Sequence, residues 1–215
     1  GSVHDCGAVN GASGISIASN SNTMSFVEVY NNAGNGIQIF KTSGNATGTC
    51  SSNTITLCNV HNNCSAASTD AGIFVGVGTG NSVVNNIIHA NTGLGLDLAN
   101  SAQSTLIYFN TIADNTTGAD GVLINAGCAN TVLRNNIVFN NAGTAISAGM
   151  PRTPVVGDSF VTYFSSTTGG QILTLTGQTG SALLGTAAVP IGRCATLLFI
   201  NTGSNAWSVL STIGA

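Results

Sequence analysis

This chain has almost no charge. Of its 215 residues, 5% are Asp, Glu, Lys or Arg, against about a quarter in an ordinary soluble protein. Only Lys41, Arg134, Arg152 and Arg193 are basic. No nucleic-acid partner is expected, because the electrostatic footprint is missing. Polybasic attachment to a lipid surface fails for the same reason. Long hydrophobic runs are missing too. The longest, CATLLFI at 194–200, falls far short of the roughly 18–20 residues a span needs, so no membrane insertion is expected. Disorder requires low hydrophobicity, and 43% hydrophobic residues argues against it.

Several chemical signatures are absent as well. The six cysteines (6, 50, 58, 64, 128 and 194) contain no CxxC pair and hence no zinc pattern. Two readings stay open for them: disulfides among Cys50, Cys58 and Cys64 in a secreted protein, or buried free thiols packing as small hydrophobes. There is no GxSxG, P-loop, HExxH or calcium-binding nonapeptide. No metal or cofactor is implied. No start methionine or signal peptide is present, and Gly1-Ser2 has the look of an expression scar, so a piece of a longer polypeptide is expected.

Gly, Asn, Ser and Thr take the place of charge. Of 26 asparagines, 24 precede residue 150, whereas all three prolines (151, 154 and 190) follow it. Two segments built on different rules therefore meet near MPRTPVVGD, giving expected domains of 1–150 and 151–215.

The first segment repeats. Aligned on their last Asn, five rows appear: NTMSFVEVYNN (22–32), NTITLCNVHNN (53–63), NSVVNNIIHAN (81–91), TLIYFNTIADN (105–115) and TVLRNNIVFNN (131–141). The third residue of each is aliphatic or Met, and the eighth is Val or Ile. Gly-led strands GISI, GIQI, GIFV, GLDL and GVLI accompany the rows. Very short strands in a repeat of about 20–30 residues are a solenoid signature. The chain bends after each strand and returns one strand spacing higher, about 4.8 Å per coil. Asparagine suits the bends because it tolerates left-handed backbone. Its amide can also bond to the same amide one coil above. The five-residue period is one strand plus one bend.

The pattern N-x-[IVL]-x-x-N-x-[IVL]-x-x-N resembles the right-handed parallel β-helix repeats of pectate lyases, C5-epimerases and phage tailspikes, over about residues 10–150. The expected fold is all-β: a parallel β-helix followed by a small antiparallel, β-sandwich-like C-terminal domain. For the latter, DSFVTYF, QILTLTG, SALLGTA, ATLLFINTG and AWSVLST read as strands. Residues 189–214 look like the terminal domains that close phage tail fibres and tailspikes. Such a cap would cover the open helix end, with Trp207 as a core or interface anchor.

Outward columns carry the functional candidates. The seventh-position column is Glu28, Asn59, Ile87, Thr111 and Ile137; the second is Thr23, Thr54, Ser82, Leu106 and Val132. With Phe109 and Phe139, these leave apolar stripes that a monomer would not expose. A covering loop or a partner chain would explain them, and the short loops favour a homo-oligomer. The tailspike resemblance implies a homotrimer. Tyr30, His61 and His89 share the ninth column and form a candidate glycan-binding shelf; packing at a subunit interface is the competing reading. Among seven acids, Asp97 points outward from GLDL and Asp120 precedes the matching strand one coil later. They form a candidate catalytic dyad in the inverting geometry. A pectate-lyase-like cluster of bases beside calcium-holding acids is not reproduced. Sequons at Asn45, Asn63 and Asn115 are expected by chance. The threonine columns are too irregular for an ice-binding array.

The leading functional expectation is a phage tailspike or tail fibre fragment. As a homotrimer on the virion it would bind, and in a depolymerase would degrade, bacterial cell-surface polysaccharide. The alternatives are a secreted, extracellular β-helix lyase or hydrolase with an accessory β-domain, and a non-catalytic stalk.

Overall fold

The computed structural model describes residues 1–7, 12–41, 49–67, 69–116, 120–125 and 127–142 with their side chains (Asn100 and Ser101 by backbone alone), and the backbones of further strands from 146 to 214. Three parallel sheets run its length. Sheet A stacks Ser2–His4, Glu28–Tyr30, Asn59–His61, Ile87–His89, Thr111–Ala113 and Ile137–Phe139. Sheet B stacks Ile15–Ile17, Ile37–Ile39, Ala71–Thr79, Leu94–Gln103, Val122–Ile124 and Ile146–Gly149. Sheet C stacks Thr23–Ser25, Thr54–Thr56, Ser82–Val84, Leu106–Tyr108 and Val132–Arg134. Each coil passes from B to C to A, so the three-residue strands never meet their sequence neighbours as hairpins.

The aliphatic columns form the interior. Ile55, Val83, Ile107 and Leu133 lie in one register line on sheet C and are buried. Val29, Val60, Ile88, Ile112 and Val138 form the matching line on sheet A, each fully buried. Sheets A and C turn one side chain inward per strand. Sheet B turns two, such as Leu96 and Leu98, which is why its strands read Gly-aliphatic-x-aliphatic.

The bends divide their work between two adjacent residues, where the sequence suggested one. The residue before each ladder asparagine adopts the left-handed conformation: Asn31, Asn62, Ala90, Asp114 and Asn140 all have φ between 51° and 55°. The asparagine after it points inward and bonds to its counterpart one coil on. Asn32, Asn63, Asn91, Asn115 and Asn141 are joined by side-chain amide bonds of 2.8–3.0 Å, doubled by backbone amides donating to the same oxygens. Asn86, Asn110 and Asn136 make a second stack, and Asn22, Asn53 and Asn81 a third. The third ends at Thr105, whose buried hydroxyl has no partner among the described residues. Asn63 and Asn115 are at most 1% exposed, so these sequons offer no acceptor in the folded chain; Asn45 lies outside the described residues.

Cys50, Cys58, Cys64 and Cys128 are buried free thiols, and Cys6 is half-buried and free. The disulfide alternative among Cys50, Cys58 and Cys64 is therefore not what forms. Cys58 occupies an asparagine position, its backbone amide bonded to Asn86 Oδ1.

Beyond residue 150, Ser159–Ser165 adds to sheet A in parallel with Ile137–Phe139, then pairs antiparallel with Cys194–Gly203, which pairs antiparallel with Ala206–Gly214. Thr174–Thr176 adds to sheet B beside Ile146–Gly149. Hydrogen bonding thus crosses the compositional boundary, and the change from parallel to antiparallel pairing comes at 159–165. Closure into a sandwich, and the side chain of Trp207, lie outside the described residues.

Candidate functional site

Two outer faces carry the residues singled out in the sequence. On sheet A, Tyr30, His61 and His89 do come together, and His4 extends the row. Successive ring centroids are 4.7, 5.3 and 5.0 Å apart, with planes within 17°. His4 escaped the row alignment because it precedes the first complete repeat. The next position, Ala113, ends the pile.

Rings stacked this closely spend their faces on each other and turn only their edges to solvent. The edges of the three imidazoles are already engaged. Asn62 Nδ2 donates to His61 Nδ1 at 3.2 Å, which leaves His61 Nε2 to donate to Glu28 Oε1 at 3.1 Å. His89 Nε2 lies 3.2 Å from Asn59 Oδ1, and His4 Nδ1 lies 2.8 Å from Asp5 Oδ2. Burial, then the neighbouring His61, holds His89 below the usual imidazole range, with Asp114 acting oppositely. A pyranose stacks its apolar C–H face on an open aromatic face. The pile presents a row of polar tips instead.

Sheet B has the other face. Its outward column runs Ser16, Gln38, Phe74, Asp97 and Leu123. Gln38 Nε2 donates to Ser16 Oγ at 3.0 Å. The Phe74 ring lies 5.8 Å from Phe40 at 52°. Gly76 makes room for both, since a Cβ there would come within 2.6 Å of the Phe40 ring and 2.7 Å of the Phe74 ring. Leu94 and Ala71 pack beside Phe74 and Leu123 in a small apolar cluster outside the main core.

Asp97 stands in the middle of this column. Its side chain leaves the helix interior as expected, yet it is only 7% exposed, because Phe74 and Leu123 flank it on the strands below and above. Asn125 Nδ2 donates to Asp97 Oδ1 at 3.0 Å and to Leu98 O at 2.9 Å. Burial pushes the carboxyl up to about 7, against the opposing pull of the Asn125 bond. At neutral pH it is therefore partly protonated, able to donate as well as accept. Burial first, then the Asp97 charge, raises Cys128 to about 11, so that thiol is not a nucleophile.

Asp120 precedes the adjacent strand, three residues before Leu123, which faces Asp97, and its carbonyl accepts from Gly95 N at 3.1 Å. Asp114 acts as a bend former, left-handed at φ 55° and accepting from Asn140 Nδ2. Among the described residues no three His, Cys, Asp or Glu side chains gather as a metal site. Gln38 and Phe74 hold the same place in GIQI and GIFV that Asp97 holds in GLDL, a column the sequence offered but that was read only for acids; Phe40 and Asn125 lie just beyond their strands.

The family model described as "Right handed beta helix region" matches residues 2–160. The chain belongs to this family. A solved structure similar to it is that of a pectate lyase, Pel9A, at 18% identity and a TM-score of 0.51, covering 69% of this chain and 41% of that one. At that identity the likeness concerns the fold alone, and the β-helix family member described above spans less than half of the lyase's length. No curated protein matches the chain.

Proposed function

We propose that this β-helix binds polysaccharide on the outer face of sheet B, with Phe74 and Phe40 as the apolar platform and Asp97 as the hydrogen-bonding and proton-donating group. The observation that carries the reading is the placement of Asp97 between Phe74 and Leu123, pushed up to about 7 by burial. A sugar ring alternates apolar C–H faces with hydroxyls. An aromatic pair beside a carboxyl that can both donate and accept matches that alternation. In a degradative version Asp97 is the acid and Asp120 the second carboxylate, activating water across an inverting separation.

The setting we propose is a phage tailspike or tail fibre: a homotrimer on the virion whose receptor is bacterial surface polysaccharide. The repeat pattern, the charge-poor composition and the look of the C-terminal strands support it. The ring pile on sheet A is a second candidate for glycan contact, through its edges only.

Binding of the chain to a panel of capsule and O-antigen polysaccharides tests the reading. Phe74→Ala is expected to weaken binding at least about 10-fold, the loss of one buried aromatic contact. Asp97→Asn is expected to abolish any cleavage while leaving the fold intact. Tyr30→Ala with His61→Ala is expected to leave affinity unchanged. Binding that ignores Phe74 and Asp97 but disappears with the sheet A pair moves the site to the other face. No binding to any polysaccharide removes the proposal.

A further inference from the structure

We infer that the edge where sheet C turns into sheet A is a self-association surface whose occupant is a second copy of this chain. Among the described residues five large apolar side chains are exposed: Phe26 (71%), Leu57 (46%), Ile87 (51%), Phe109 (56%) and Ile137 (49%). All five lie on this edge. Each coil supplies one, either at the bend (Phe26, Leu57, Phe109) or at the first residue of its sheet A strand (Ile87, Ile137). The other of these two positions is polar in every coil: Glu28, Asn59, Asn85, Thr111 and Asn135. The result is an apolar line parallel to the helix axis with one side chain per coil, about every 4.8 Å. Single exposed apolar residues are ordinary on a protein surface; an unbroken line is not.

The backbone adds an independent sign. Phe26, Leu57 and Phe109 sit in left-handed conformation at φ 56°, 54° and 56°, as Asn85 and Asn135 do at the same bend at 57° and 53°. Asparagine is at ease there and bulky side chains are not. Three corners thus hold apolar groups against their local backbone preference, the kind of outlier that marks a functional surface.

The repeat identifies the occupant. A partner covering this line must offer an apolar group at every coil spacing. An α-helix rises 1.5 Å per residue and brings its stripe round on a different period. A second copy of this chain has the same spacing and the same line, laid side by side. Charge does not oppose it: the charged side chains flanking the line are Glu28 and Arg134 at opposite ends, the Gly1 ammonium donates to Phe26 O at 3.4 Å at the Glu28 end, and the chain's net charge is −3. The inference is independent of glycan binding, which uses another sheet, and it names the contact that a trimeric tail protein would need.

Sedimentation velocity of the full chain, from nanomolar to high micromolar concentration, tests it. The wild type is expected to form a defined dimer or trimer. The triple variant Phe26→Asn, Leu57→Asn, Phe109→Asn introduces the residue this bend already accepts at positions 85 and 135. It is expected to fold, to melt no lower as a monomer, and to lose association at least 10-fold. The pair Ile87→Thr and Ile137→Thr, which copies the residue found at Thr111, serves as a second variant should the first misfold, with the same expected loss. A wild type that stays monomeric throughout overturns the inference, as does a folded variant that assembles unchanged. Polysaccharide affinity per chain is expected to survive dissociation, so failure here and failure of the glycan face are separate results.

Discussion

A carboxyl kept out of water destabilises a fold in a pH-dependent way, and Asp97 makes that measurable. An unfolded Asp titrates near 3.9, while burial raises this one to about 7. Between those values the folded chain holds more protons than the unfolded one. Stability therefore falls as pH rises from about 4 to about 7 and is level above that. Asp97→Asn removes the charge yet keeps an Oδ1 to accept from Asn125 Nδ2. Urea midpoints of wild type and variant are expected to agree near pH 4 and to diverge toward pH 8, where the variant is more stable by a few kcal/mol. A gap that does not widen with pH would mean that water reaches the carboxyl. None of this was visible in GLDL. The alternation of the strand gave Asp97 its outward direction, and Phe74 and Leu123 hold the same place in GIFV and GVLI; how tightly that column closes over the carboxyl depends on side-chain packing, and Asn125, which bonds it, lies beyond its strand.

At the scale of the element, the chain enters sheet B close beside the asparagine stack, and in the first five coils the entry residue is a glycine: Gly14, Gly36, Gly72, Gly95 and Gly121. At Gly95 a Cβ would lie 2.5 Å from Gly121 O, 2.6 Å from Ile112 Cγ2 and 2.8 Å from Asn115 Nδ2. The same three kinds of neighbour surround Gly36 and Gly72. A backbone carbonyl and a ladder amide cannot step aside, so Gly95→Ala is expected to lower stability by about 2–3 kcal/mol, the upper range for overpacking. Gly80 is the contrast. It is left-handed at φ +70° with nothing nearer than Ser52 Oγ at 4.0 Å, and Ser52, Ser104 and Asn130 adopt the same conformation at equivalent bends. Gly80→Asn is expected to be nearly neutral in the same thermal melts; equal losses at the two glycines would refute the close-packing account. The strands, their interior columns and the asparagine stacks were legible because a solenoid writes each contact as a repeat. What glycine does at a strand entry was not, because it depends on an Asn and an aliphatic that the next coil stacks against it. His4 was missed for a related reason: the row that would have revealed it is incomplete.

For the whole molecule, the direction in which two copies lie is the property that separates the tail-protein setting from other assemblies. Three copies closed around an axis with their apolar lines together must run parallel. Glu28 then lies beside Glu28 and Arg134 beside Arg134, because both flank the line at fixed heights four coils apart. Two copies related by an axis across the line run antiparallel, and Glu28 then lies beside Arg134. Arg134→Glu tells these apart. In a parallel assembly like faces like before and after the change, so the association constant is expected to move less than about 2-fold. In an antiparallel dimer two attractive contacts become repulsive, worth about 1 kcal/mol or roughly 5-fold for exposed pairs, and adding Glu28→Arg restores them. That second change also gives up the bond from His61 Nε2 to Glu28 Oε1, so recovery must be read from association and not from melting temperature. The tailspike setting requires the first outcome. The second would leave the apolar line as the interface but remove the trimer, and with it the physical case for a virion spike.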